Sequence, residues 1–159
     1  MLILVESIAI CFILLIICVI GIANGPVGSV YFYESEVQEK VVELGLTTKE
    51  KIKKRYAIAS VCLFVPILFF VPAMVYFING ARGFFDIFLQ ITIILLIVGL
   101  FDRLFIDWYW VGKTKAWYIP GTEELMPYIP QKTLVKKWIG TVIGYPLLAA
   151  ILSAIMSMF

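Results

Sequence analysis

The sequence predicts an all-α, polytopic membrane protein: a four-transmembrane-helix bundle with a short cytoplasmic helix hairpin and an aromatic cytoplasmic loop. Three observations carry that prediction. Apolar residues make up 62% of the chain and charged residues only 15%, against roughly 45–50% and about 25% in an average soluble domain. The apolar residues gather into four runs, each near the length of about 20 residues that a bilayer crossing takes. Twelve of the thirteen Lys and Arg residues fall in two alternate connections between those runs. A soluble fold of 159 residues keeps too large a surface-to-volume ratio to hide this much apolar area. Lipid is the simplest solvent for it, and one integral membrane domain, 1–159, is expected.

The first run, Leu2 to Tyr33, carries only Glu6 as a charge. At about 1.5 Å per residue it is longer than the hydrocarbon layer. The helix is therefore predicted to tilt, protrude or kink, with the kink at Asn24-Gly25-Pro26 and the span over about 7–31. A secretory signal peptide is the rival reading, but no Lys or Arg precedes the apolar run. The second span covers about 56–78 and holds Pro66 and Pro72, which neighbouring helices make tolerable in a membrane. The third covers about 84–104, and the fourth about 137–159 with Pro146. No run alternates with period 2, which argues against barrel strands.

Orientation follows from the basic residues. Residues 34–55 carry Lys40, Lys49, Lys51, Lys53, Lys54 and Arg55. The segment from Asp102 to Lys137 carries Arg103, Lys113, Lys115, Lys132, Lys136 and Lys137, and the intervening loop only Arg82. The connections 34–55 and 105–136 are expected in the cytoplasm and both termini outside, in a multi-pass protein of the cell membrane. Helices in lipid associate through close packing. Small residues mark the expected contact faces: Gly21, Gly25 and Gly28 in the first span, and Gly140, Gly144, Ala149, Ala150, Ser153, Ala154 and Ser157 in the fourth.

The first connection reads as a helix hairpin. Ser35-x-x-Gln38 and Thr47-x-x-Glu50 are capping-box patterns, Gly45 is a helix stop, and the second helix continues into the second span. Val37, Val41 and Leu44 give the short helix one apolar face to dock on the bundle or the headgroup region. The second connection holds Trp108, Tyr109, Trp110, Trp117, Tyr118 and Tyr128, with Pro120-Gly121, Pro127 and Pro130 turning the backbone. Interfacial belts account for some of these rings; a loop this aromatic is expected to fold back under the bundle.

Candidate site residues cluster where the third span ends. Arg103 and Asp107 are four apart and can pair on one helix face. Asp102, about 100° round the helix, is expected to face another basic residue. A ligand-binding pocket is expected here, with Lys113, Lys115, Trp117, Glu123 and Glu124 brought alongside Asp102, Arg103 and Asp107; the bland reading is an interfacial ion pair. At the other end Glu6, Arg82 and Asp86 are expected to cluster near Asn79.

Histidine is absent, which removes the commonest general base and nitrogen ligand. Cys11, Cys18 and Cys62 lie in apolar runs without CxxC spacing and read as small buried hydrophobes. No metal set and no cofactor is expected. Gln90 and Thr92 are the deepest clearly polar side chains predicted in the third span, which counts against proton-coupled transport. Three functions stand: a non-enzymatic scaffold, accessory subunit or lipid- or small-molecule-binding bundle; an enzyme on a lipid headgroup at the cytoplasmic face; or an oligomeric channel or transporter. The partners expected are membrane lipids, with a homo-oligomer or larger membrane complex left open, and no nucleic acid.

Overall fold

The computed structural model describes residues 2–158; Met1, and Phe159 at the predicted end of the fourth span, lie outside it. The described residues contain no strand, and four of their helices are long and apolar enough to cross a membrane. α1 is Leu2–Ile22 and α2 the short Ser35–Glu43; α3 is Lys49–Ile78, α4 Phe84–Val111 and α5 Gln131–Met156.

α1 does not kink at Asn24-Gly25-Pro26 but stops before it, at Ile22. Gly25 takes φ 95°, a left-handed conformation that glycine reaches without a Cβ clash, and Pro26 then opens a 3-10 segment, Pro26–Phe32. This segment is a strap folded back on α1: a Cβ built on Gly28 would stand 2.5 Å from the Gly21 carbonyl oxygen. The strap also packs on α3. The small residues of the first span therefore mark a contact within the chain.

α2 is amphipathic as predicted, burying Val37 and Val41 while Leu44 stays 43% exposed. Neither capping box forms as predicted. Glu34 occupies the N-cap of α2, and the Gln38 amide donates to the Tyr33 carbonyl at 2.8 Å. For α3 the N-cap is Thr48, one residue later than expected, accepting from the Lys51 N–H at 3.3 Å. Gly45 (φ 70°) does end α2: Leu46 N–H bonds Val41 O and Gly45 N–H bonds Val42 O, the paired bonds of a Schellman stop.

The prolines inside the long helices sit beside π-helical turns. Pro66 opens the turn Pro66–Phe70, a second turn spans Met74–Ile78 after Pro72, and Gly140–Gly144 precedes Pro146. The wider turn absorbs the missing donor and the ring clash without breaking the helix. α4 is wound the same way from Asp102 to Val111 and so runs beyond its predicted end at 104.

α4 is the central helix, packed between α1 and α5. Ile87, Ile91, Ile94, Leu95 and Val98 recur at helical spacing and form a buried core with Val71, Val75 and Ala149. Contact between α4 and α5 depends on Gly99, where an added Cβ would lie 2.6 Å from Thr141 Cγ2 and 2.7 Å from Tyr145 Cε2. Ala149 and Ser153 complete that seam, whereas a Cβ on Gly140 or Gly144 would meet nothing within 4 Å. The inward face of α5 is thus the Thr141, Ala149, Ser153 face, and the glycine pair points out of the monomer. Gly99→Val is expected to cost about 1–3 kcal/mol through overpacking, against almost nothing for Gly140→Ala. Thermal unfolding of both in detergent checks this; equal midpoints would refute the close seam.

Both basic connections lie at one end of the bundle and pack on each other. Lys40 pairs with Glu124 at 3.3 Å, and Glu34 accepts from the Thr133 hydroxyl. At the opposite end the expected polar cluster forms as a chain. Asn79 Nδ2 donates to Glu6 and to Gln90 at 2.9 Å each, the Gln90 amide donates to Asp86, and Arg82 lies over the Tyr76 ring. Gln90 thereby belongs to this end cluster, tying α1, α3 and α4 together.

Candidate functional site

The loop between α4 and α5 folds back under the basic end because its apolar and aromatic residues have a second core to fill. Trp117, Ile119 and Tyr128 are buried with Tyr33, Val37 and Val41. Tyr33 stacks on Tyr128 at 4.7 Å between ring centroids, and its hydroxyl donates to the Trp117 carbonyl at 2.9 Å. Burial, then the neighbouring Tyr128, pushes the Tyr33 phenol far above its ordinary range. Tyr128 Oη accepts from the Ile119 N–H at 3.0 Å and lies 2.7 Å from the Thr122 hydroxyl, closing the turn that Pro120-Gly121 begins. Trp108 and Tyr109, by contrast, are half exposed, as belt residues would be.

Four charged side chains meet above this aromatic floor. Arg103 bonds Asp107 through one guanidinium nitrogen and Asp102 through another, and Lys137 Nζ donates to the second Asp107 oxygen at 2.8 Å. The predicted Arg103–Asp107 pair is present. Asp102 differs from expectation, sharing Arg103 itself. The cause is the winding of α4. At 100° per residue Asp102 and Asp107 would stand about 140° apart; the i→i+5 turn, at roughly 80° per residue, brings them within about 50°. Both carboxylates then flank the one guanidinium. Side-chain exposure falls from 31% at Lys137 and 21% at Asp102 to 9% at Arg103 and 5% at Asp107.

This tetrad lines one end of a cavity of about 430 Å³. Trp117, Tyr33 and Tyr145 line the same end, while most of the remainder is apolar, with Ile13, Leu14 and Ile17 from α1 and Leu63, Phe64 and Ile67 from α3; Ser60, Tyr31 and Tyr56 add hydroxyls. The volume falls within the usual range for small-molecule sites, about 300–1,000 Å³. It is an amphipathic slot, greasy along its length and charged at its basic end.

The chain matches no protein family, no curated protein and no solved structure. Function is therefore read from the slot's own chemistry.

Of the eight candidate residues, four line the slot: Asp102, Arg103, Asp107 and Trp117. The other four do not: helical winding continues to Val111 and carries Lys113 and Lys115 outward, and Glu123 and Glu124 are held elsewhere in the loop. Lys113 lies over the exposed Trp108 ring at 5.6 Å, and Lys115 is exposed in the turn beyond. Glu124 holds Lys40. Glu123 accepts from the Tyr118 hydroxyl and the Gly121 N–H, bonds that hold its carboxyl below the ordinary range, while the same bond raises Tyr118.

Lys137 and Tyr33 also line the slot and were not among the candidates. Lys137 carried a usable signal: it begins the predicted fourth span at the same end where Asp107 leaves the third, so the two charges share a depth. Tyr33 carried none, since its partners lie 84 residues away.

Among the described residues no set of His, Cys, Asp and Glu could hold a metal ion. Two of the buried side-chain donors without a partner among the described residues are nitrogens, Arg103 Nε and Trp117 Nε1, both on residues that line the slot; the others are the Ser29 and Thr92 hydroxyls.

Proposed function

We propose that this chain is a multi-pass protein of the cell membrane, with its basic end in the cytoplasm, and that it is a non-enzymatic bundle that binds a lipid-like amphiphile. The slot carries this reading. A ligand with an acyl chain and a polar head matches an apolar cleft between two helices that ends at four charges. The orientation is supported by the twelve basic residues that both connections bring to one end.

A catalytic reading is less well supported. Acid–base chemistry calls for positioned carboxylates, but Asp107 already accepts from two cations and Glu123 and Glu124 lie outside the slot, which leaves Asp102 alone, itself bonded to Arg103. A pore within one copy is also poorly supported, because the core between the two polar ends is built of Ile87, Ile91, Ile94 and Leu95.

The test is retention of lipid. After reconstitution, gentle extraction and mass spectrometry, the wild-type protein is expected to keep a bound amphiphile that Ser60→Trp, which fills the slot from α3, loses by about tenfold or more. Equal retention by both proteins would sink the reading.

A further inference from the structure

Resting on the amphiphile reading, we infer that the bound ligand carries a zwitterionic headgroup, one that offers both an anionic oxygen and an ammonium group. The basic end of the slot holds two carboxylates and two cations, Asp102, Asp107, Arg103 and Lys137. Its formal charge is already zero. A net-anionic or net-cationic guest would add an uncompensated charge where the dielectric is low, which is costly. A guest with no net charge adds none.

The two signs are also presented separately. Arg103 and Asp107 are the buried inner pair, at 9% and 5% side-chain exposure, and act as the clamp. Lys137 and Asp102 are the outer pair, at 31% and 21%. Lys137 uses one of its three N–H donors on Asp107 and has others to give a phosphodiester oxygen. Asp102 commits Oδ2 to Arg103; among the described residues its Oδ1 has no hydrogen-bond partner, which leaves it to accept from an ammonium. An uncharged headgroup would satisfy the charge balance but would leave the spare Lys137 donors and Asp102 Oδ1 with no charged group to meet beyond the Asp107 and Arg103 partners they already have.

The experiment is a competition. The full-length protein is reconstituted in vesicles of equimolar phosphatidylethanolamine and phosphatidylglycerol with identical chains, extracted gently, and its bound lipid quantified by native mass spectrometry. The wild-type protein is expected to enrich phosphatidylethanolamine over phosphatidylglycerol by about tenfold. Asp102→Asn leaves the slot one positive charge in excess and is expected to move the ratio toward phosphatidylglycerol by a similar factor. Lys137→Gln makes the opposite change in charge and is expected not to do so. Enrichment of phosphatidylglycerol by the wild-type protein, or a ratio that neither variant alters, would overturn the headgroup assignment. Retention of both lipids no better than by Ser60→Trp would instead defeat the amphiphile reading beneath it. The wild-type ratio stands as a test even if a variant fails to fold.

Discussion

Asp107→Ala is expected to destabilise the bundle by about 3–5 kcal/mol, the usual result of removing one partner from a buried ion pair. Asp107 is the acceptor shared by Arg103 and Lys137. Deleting it leaves Lys137 without a carboxylate and leaves Arg103, whose side chain is only 9% exposed, with Asp102 alone. Asp102→Ala is expected to cost much less, since Arg103 keeps Asp107 and the vacated position is partly open. Replacing Arg103 and Asp107 together by apolar residues of similar volume should recover most of the loss, because a well-packed apolar pair often equals or exceeds a buried ion pair. Thermal unfolding of the three variants in one detergent measures this ordering. Equal losses for Asp102→Ala and Asp107→Ala would show that the tetrad is not organised around Asp107.

Trp117→Ala is expected to cost a similar amount, about 3–5 kcal/mol. Trp117 is 2% exposed and packs edge-on against both Trp110 and Tyr33, with centroids 5.3 and 6.5 Å away. Its removal opens a void in the small core that holds the loop under the bundle. Trp117→Phe is expected to be far milder, below about 1.5 kcal/mol, because the indole N–H it deletes has no acceptor to lose. Loss of the buried indole signal in near-ultraviolet circular dichroism, together with the melting temperature, reports both. A phenylalanine variant as unstable as the alanine one would mean that the indole nitrogen has a partner after all.

What local pattern governs was legible beforehand, and what depends on distant chain or on altered winding was not. The four long helices follow from uninterrupted apolar runs, the α2 face from Val37 and Val41, and the Arg103–Asp107 pair from i,i+4 spacing. The position of Asp102 was misread because a 3.6-residue period was assumed through a segment wound more widely, and nothing in DRLFIDWYWV announces that winding. The strap was misread as the tail of a tilted span because its composition is that of a span; only Gly25-Pro26 hinted at a stop. Four of the eight candidate residues stand outside the slot, two of them for a related reason. Once α4 continues to Val111, Lys113 and Lys115 are carried past the charged cluster. Lys137 and Tyr33 complete the slot from elsewhere in the chain, and local spacing does not encode contacts across 30 and 84 residues.

α3 is fastened most firmly at its two ends and more loosely between them. Near its start it is held by the Pro26–Phe32 strap, and near its finish by the Asn79–Glu6 hydrogen bond and the buried Val71 and Val75. The middle stretch, from Ala59 to Ile67, buries Ala59 and Pro66 and packs Ile67 on the core, and it borders the slot along the rest of its inner face. Such a rod can bow outward without breaking a hydrogen bond of either anchor. Under the proposed function, a guest would slip in sideways from the surrounding leaflet, and how readily it leaves would be governed by the stiffness of one helix rather than by unlatching a door.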